Sequence, residues 1–242
     1  MPAIRATSTA HVVSFPWTRA GRAVGEVGAT RRLLADTKGV GFAVVGRSSA
    51  GDGTRNVNRS LSPRRFVVIV EWLDAEVAID GCSLVEERWR RRGATVWSAT
   101  LIPVRSSGTW RGTSAFAPEA QRDGAAADGS GLVASVTYAR IRPAKMAAFY
   151  LSGFPRAARR MTGGDSPMVA GIGFGDIPVR DACTFSVWPS TADLGRIVHG
   201  RSEPHGIVSR RSTEEKWLTE SLFARFIVVE HSGTWAGTDP LA

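Results

Sequence analysis

A stretch in the second half of the chain repeats one in the first. WSATLIPVRSSGTWRG, Trp97 to Gly112, aligns without a gap on LFARFIVVEHSGTWAG, Leu222 to Gly237, sharing an Ala, an Ile, a Val and the ending Ser-Gly-Thr-Trp-x-Gly. Upstream, FVVIVEWLDAEVA from Phe66 matches TFSVWPSTADLG from Thr184, and VVSFPWTRAGRAV near Val12 parallels SVTYARIRPAKMAAF near Ser135. A duplication restricts folding more than composition does, because each copy has to be a complete supersecondary unit and the copies have to cover each other. It sets out a first unit over residues 10–117, a second over 131–238, and between them, at 118–130, a linker that includes the low-complexity run QRDGAAADGSG.

Each unit reads as strand, helix, strand, strand, helix, strand. In the first, strands are expected at 11–16, 39–46, 66–72 and 96–104, and helices at 19–35 and 74–92, where apolar spacing turns helical and Gly93 stops the second. In the second, strands are expected at 133–141, 168–175, 184–188 and 222–230, a helix at 143–161 that Pro155 kinks or splits, and a broken helical region at 191–211. The fold class that follows is α+β, two tandem ferredoxin-like (βαββαβ) units in a dimeric-α+β-barrel-like arrangement. Packed sheet against sheet, such units would enclose an apolar space between them. RSSAGDGTRNVNRSLSPRR, residues 47–65, is expected as a long functional or disordered loop, replaced in the second unit by the short DIPVRDA.

Composition excludes several classes. The chain has 242 residues, 43% of them hydrophobic, which is ordinary for packed cores. Cys82 and Cys183 are the two cysteines, too few for a disulfide scaffold. No apolar run approaches the roughly 18 residues a spanning helix needs, and MPAIRATSTA has no signal-like core, so a cytoplasmic setting is expected. The net charge of +9 is nearly all arginine and lies mainly in the first half. No aromatic-interleaved basic stripe accompanies it, so no nucleic-acid partner is expected.

Motifs are sparse. GIGFGD from Gly171 falls inside a strand rather than at a strand-to-helix turn, which argues against phosphate binding. ERWRRRG reads as a solvated helix end, and Asn58-Arg59-Ser60 fits a glycosylation pattern with no secretion signal to support it. Four histidines, His11, His199, His205 and His231, are the candidates for ligation or general-base work. His11 and His231 are expected to face solvent. His199 and His205 lie in HGRSEPHG, where Gly200 and Pro204 force a specific path. No second His or Cys stands at zinc-site spacing, whereas one neutral imidazole suffices for haem iron.

The ordered combination of the TFSVW strand, the Pro204-His205 pair, Trp217 after a charged helix, Glu220-x-x-Phe223-Ala224-Arg225-Phe226 and the closing Gly-Thr-Trp resembles the spheroidene monooxygenase family of carotenoid biosynthesis. The strand ending at Trp72 and the WSATLIPVRSSGTW segment extend the resemblance to about residues 11–237. It implies a haem b oxygenase using molecular oxygen or peroxide, with His205 as the proximal metal ligand and His199 as the runner-up. Arg225 is expected either to pair a haem propionate or to stand as an exposed strand arginine, and Phe149, Trp188, Phe223 and Phe226 to line the substrate pocket, with core filling as the competing role for each aromatic. The implied partners are a hydrophobic, carotenoid-like small molecule, an electron donor such as ferredoxin, and a peripheral contact with the inner face of a membrane. Haem chemistry of another kind, dehydration or nitrogen oxidation, and a cofactor-free small-molecule-binding barrel stay open as alternatives.

Overall fold

In the computed structural model, residues 7–51, 53–58, 60–118, 131–175, 180–200 and 202–242 are described. The linker therefore lies almost wholly outside the described residues, as do Arg59 and most of the DIPVRDA connection.

The first half forms β1 (Thr7–Ser14), α1 (Ala20–Asp36), β2 (Val40–Ser49), β3 (Arg55–Asn56), β4 (Leu61–Trp72), α2 (Ala75–Arg91) and β5 (Thr95–Gly108). The second forms β6 (Val133–Ile141), α3 (Met146–Ala148), a π-helical turn (Phe149–Gly153), α4 (Phe154–Thr162), β7 (Ala170–Gly175), β8 (Asp181–Trp188), α5 (Thr191–His199), α6 (Pro204–Glu214) and β9 (Leu218–Gly233). Pro155 splits its helix as expected. Having no N–H to donate, it is the second residue of α4, one residue past the π turn, where a helix start leaves that donor unneeded. The 47–65 segment is less of a loop than its polarity suggested: β2 and β4 run into it from both sides, and β3 lies within it.

The strands join in the order β2-β4-β1-β5-β9-β6-β8-β7, and a β2–β7 pairing closes the ring into an eight-stranded barrel. Each unit contributes the order expected of a ferredoxin-like sheet. The units meet along β5 and β9, the very strands that carry the repeat, with Gly108 opposite Leu222 and Trp97 opposite Gly233. Strand alternation divides the side chains between two faces. Ala10, Val12, Trp97, Trp110, Phe116, Tyr138, Phe185, Phe226 and Trp235 fill the barrel interior. The expected apolar space between the sheets is thus occupied by the protein's own side chains, because both inner faces carry aromatics.

The outer faces are covered by helices. In the first unit, α1 turns Ala23, Val27 and Leu34 inward at helical spacing, and α2 turns in Ala78, Val85 and Trp89. Asp74 caps α2 by accepting from the N–H groups of Glu76 (2.7 Å) and Val77 (3.3 Å). Among the described residues no helix is long and apolar enough to cross a membrane.

Candidate active site

In the second unit the helix that follows β8 starts at the Ser190 cap and then breaks, giving α5 and α6. Pro204 occupies the first turn of α6, where its fixed φ suits a helix start, and His205 comes next. Arg160 of α4 grips Glu203 with both arms of its guanidinium, at 2.8 and 3.2 Å, pinning the start of α6 to its neighbour. His205 Nδ1 lies 3.3 Å from the carbonyl oxygen of Val198. Donation of Nδ1–H to that carbonyl selects the tautomer whose Nε2 carries a lone pair, the form that ligates metals.

His205 lines a cavity of about 350 Å³ between this helical layer and the outer face of the second sheet. That is within the size range of small-molecule sites, about 300–1,000 Å³. Phe149 from the π turn, Met161 from α4 and Val208 from α6 give the helical wall an apolar part, and Ser209, Ser212 and Thr213 of α6 add a polar edge. The sheet wall is made of small residues where β6 and β8 meet, Thr137 and Ala139 against Ala182 and Thr184, with Phe223 of β9 beside them.

Internal symmetry explains why the cavity lies at this place in the second unit, whereas the hollow of the first unit, about 710 Å³, lies beside α2 against β5 and β9. Trp72 faces Thr7 at one end of the β1–β4 pair, and Trp188 faces Val133 at the same place in β6–β8. Counting from these tryptophans, the first unit places His11 opposite Val68 and Val13 opposite Phe66, where the second places Thr137 opposite Thr184 and Ala139 opposite Ala182. At three of the four positions a larger buried group gives way to a smaller one, and at the fourth Val68 gives way to Thr184 of similar size. The helices differ in the same sense. α2 is continuous, and its Trp89 plugs the layer against His11 (5.4 Å) and Phe66 (5.8 Å). Counted from the caps Asp74 and Ser190, His205 falls at the position of Trp89.

Of the residues singled out from sequence, His205, Phe149 and Phe223 line the cavity. Trp188 and Phe226 do not. Trp188 is buried in the core under α4 and α5 with its indole N–H on Ser186 (2.9 Å), and Phe226 points into the barrel against Phe116 (5.4 Å). Arg225 is half-buried on the same face of β9 as Phe223, in register with Arg105 and Ser135. The side chain of His199 lies outside the described residues. Neither of the other histidines faces solvent as expected. His11 is 1% exposed in mid-strand, because the chain before Val12 belongs to β1. His231 continues β9, half-buried, with Nδ1 2.9 Å from Asp239. The small residues of the sheet wall and Val57, which reaches the cavity from the first unit, were not recognised in the sequence. The exchange of large for small between repeat copies was the signal that marked the wall.

No family model matches the chain. The spheroidene monooxygenase of Rhodobacter capsulatus is 32% identical over 235 residues, covering 95% of this chain and 90% of the relative. The chain belongs to the spheroidene monooxygenase family. It is a monooxygenase, and the spheroidene monooxygenase of Cereibacter sphaeroides, 28% identical over 72% of this chain and 52% of its own, extends the set. Solved aldoxime dehydratases share the fold: one bound to butyraldoxime superposes with a TM-score of 0.65 at 9% identity, covering 100% of this chain and 86% of that one. A second gives 0.59, also at 9% identity, over 98% of this chain.

Proposed function

We propose that this monooxygenase oxygenates a long apolar polyene of the carotenoid class, with a b-type haem in the second unit's cavity. The observation that carries the reading is a cavity of about 350 Å³ with a largely apolar lining and a single imidazole whose Nδ1 is committed to Val198. The relatives' shared name points to the substrate class.

The donor set fits the group: one imidazole of fixed tautomer on the helical wall, small side chains opposite, and no competing cluster of metal ligands among the described residues. When bound, haem supplies the redox chemistry by which an oxygen atom from O₂ or peroxide enters a C–H bond. The chain does the rest. Val198 orients His205, the Arg160–Glu203 pair holds the α5–α6 turn, and Phe149, Met161 and Val208 exclude water. Arg225, on the Phe223 face of β9, is assigned a haem carboxylate as its partner. A small redox protein of the ferredoxin kind would supply electrons. The arginine surplus of the first half would hold the enzyme against anionic lipid, where such a substrate resides.

Haemin titration followed in the visible tests the reading. The wild type is expected to give a sharp Soret band with one equivalent of haemin. His205→Ala is expected to lose it and to recover it on addition of free imidazole. An unchanged spectrum in His205→Ala would remove His205 as the ligand. Turnover of an aldoxime in place of a polyene would overturn the assigned reaction.

A further inference from the structure

The segment between β2 and β4, which belongs to the first unit, is built into the second. Its strand β3 pairs in parallel with β7, Arg55 opposite Gly171 and Asn56 opposite Ile172, and Gly171 N–H donates to Thr54 at 2.8 Å. Asn58 is fixed as well: its carbonyl accepts from Ser49 Oγ at 2.8 Å, and its side-chain amide donates to the Ala50 carbonyl at 2.7 Å. Between these anchors Val57 is 6% exposed and lines the His205 cavity. The insertion is therefore an ordered wall of a site whose other walls come from the second unit apart from Ser107 and Gly108 at the end of β5.

Two further cavities adjoin that site. One, of about 380 Å³, lies at the barrel's closing seam between Ser49 of β2 and Phe174 of β7. The other, an open groove of about 420 Å³ with Arg55, Asn56, Asn58 and Arg159 at its rim, lies between the insertion and α4. Phe154 stands in the wall of all three cavities. Ala182 is shared by the His205 and seam cavities, Val57 by the His205 and insertion cavities, and Asn58 by the seam and insertion cavities. Phe154 is the first residue of α4, directly after the π turn, half-buried and held between Phe149 and Tyr150, each 5.8 Å away. Its ring can turn about two side-chain bonds without moving the helix.

We propose that Phe154 and the first unit's Val57 form a length-selective gate, through which a rod-shaped apolar substrate threads from the seam and insertion cavities to the His205 cavity. The proposal rests on the site reading above and adds to it a path and the residues that discriminate among substrates. A short apolar molecule fits within one cavity, whereas a long polyene must pass the Phe154 ring and lie along Val57.

Two independent measurements on the full chain test this. Haemin titration reports the His205 cavity. Displacement of cis-parinaric acid fluorescence reports polyene binding, with retinol as the short probe and lycopene in detergent micelles as the long one. Val57→Trp and Phe154→Trp are expected to weaken lycopene about tenfold, the effect of about 1.4 kcal/mol of overpacking, while retinol stays within about twofold. Phe154→Ala is expected to narrow the difference between the two probes. A purely structural role would weaken both probes together, so equal losses, or no change for lycopene, would overturn the gate. If the wild type takes up no haemin, the haem reading fails, and the parinaric acid measurement still decides the gate.

Discussion

His11 and Glu86 are the most consequential charged pair outside the site. The imidazole is buried under α2, with Nδ1 3.1 Å from the Glu86 carboxylate and Nε2 3.1 Å from Thr9 Oγ1. Burial opposes its charge, but hydrogen bonds and charge interactions with Cys82 and Glu86 outweigh burial and raise its pKa to about 9. Burial likewise opposes the Glu86 carboxylate, and the hydrogen bond and charge of His11, helped by Ser98 and Arg90, bring it down to about 2. The raised imidazole favours folding below its unfolded value of 6.5, and its contribution is lost as pH rises through about 9. The depressed carboxylate favours folding above 4.5, and that contribution is lost as pH falls through about 2. Thermal stability is therefore expected to peak between these windows, near pH 5 to 6, and to fall by about 5 °C or more by pH 9.5, as differential scanning calorimetry would show. In Glu86→Gln the alkaline part of that loss is expected to shrink. The position of His11 in a β-run was readable from sequence. Its burial was not, since that depends on α2 arriving with a carboxylate to pair it.

At the scale of elements, the contrast between α2 and the α5–α6 pair decides that the place filled by Trp89 in the first unit is open beside His205 in the second. Both helices start from a side-chain cap after a strand ending in Trp, so local signals are alike. The difference lies in whether the helix runs on to bring a Trp over the sheet, and in what the sheet offers beneath. Restoring the first unit's residue at a second-unit position should close the site. Ala182→Phe, which copies Phe66, is expected to lower haemin affinity by at least about tenfold while the melting temperature holds or rises, since it fills space rather than opening it. Wild-type haemin binding in that variant would place the site elsewhere. The helix break was legible from Gly200 and Pro204. The cavity needed the register of β6 against β8, which no local pattern specifies.

At the scale of the molecule, the repeat is the seam. Gly108 and Gly233 are equivalent residues at opposite ends of the β5–β9 contact, with φ of +88° and +85°. A Cβ on Gly108 would stand 2.1 Å from the Ser221 carbonyl oxygen, and one on Gly233 would stand 2.0 Å from that of Val96. Gly108→Ala and Gly233→Ala are each expected to cost about 2 kcal/mol or more, read by chemical denaturation, because both the left-handed backbone and the contact with the partner strand exclude a side chain. A fragment of residues 131–242 is expected to show no cooperative unfolding, since cutting the barrel exposes β7 and β9 as open edges and bares half of an aromatic interior.

The sequence by itself determined the duplication, the order of strands and helices in each copy, and the turn that presents His205, because these follow from local periodicity, caps and breakers. Only the tertiary structure decided that the space between the sheets is filled and the cavity lies outside the barrel. It alone showed that Phe226 and Trp188 serve packing, and that Val57 of one unit walls the site of the other. Those outcomes depend on which faces meet across the β2–β7 and β5–β9 pairings, and contacts between residues a hundred or more positions apart leave no periodic trace along the chain.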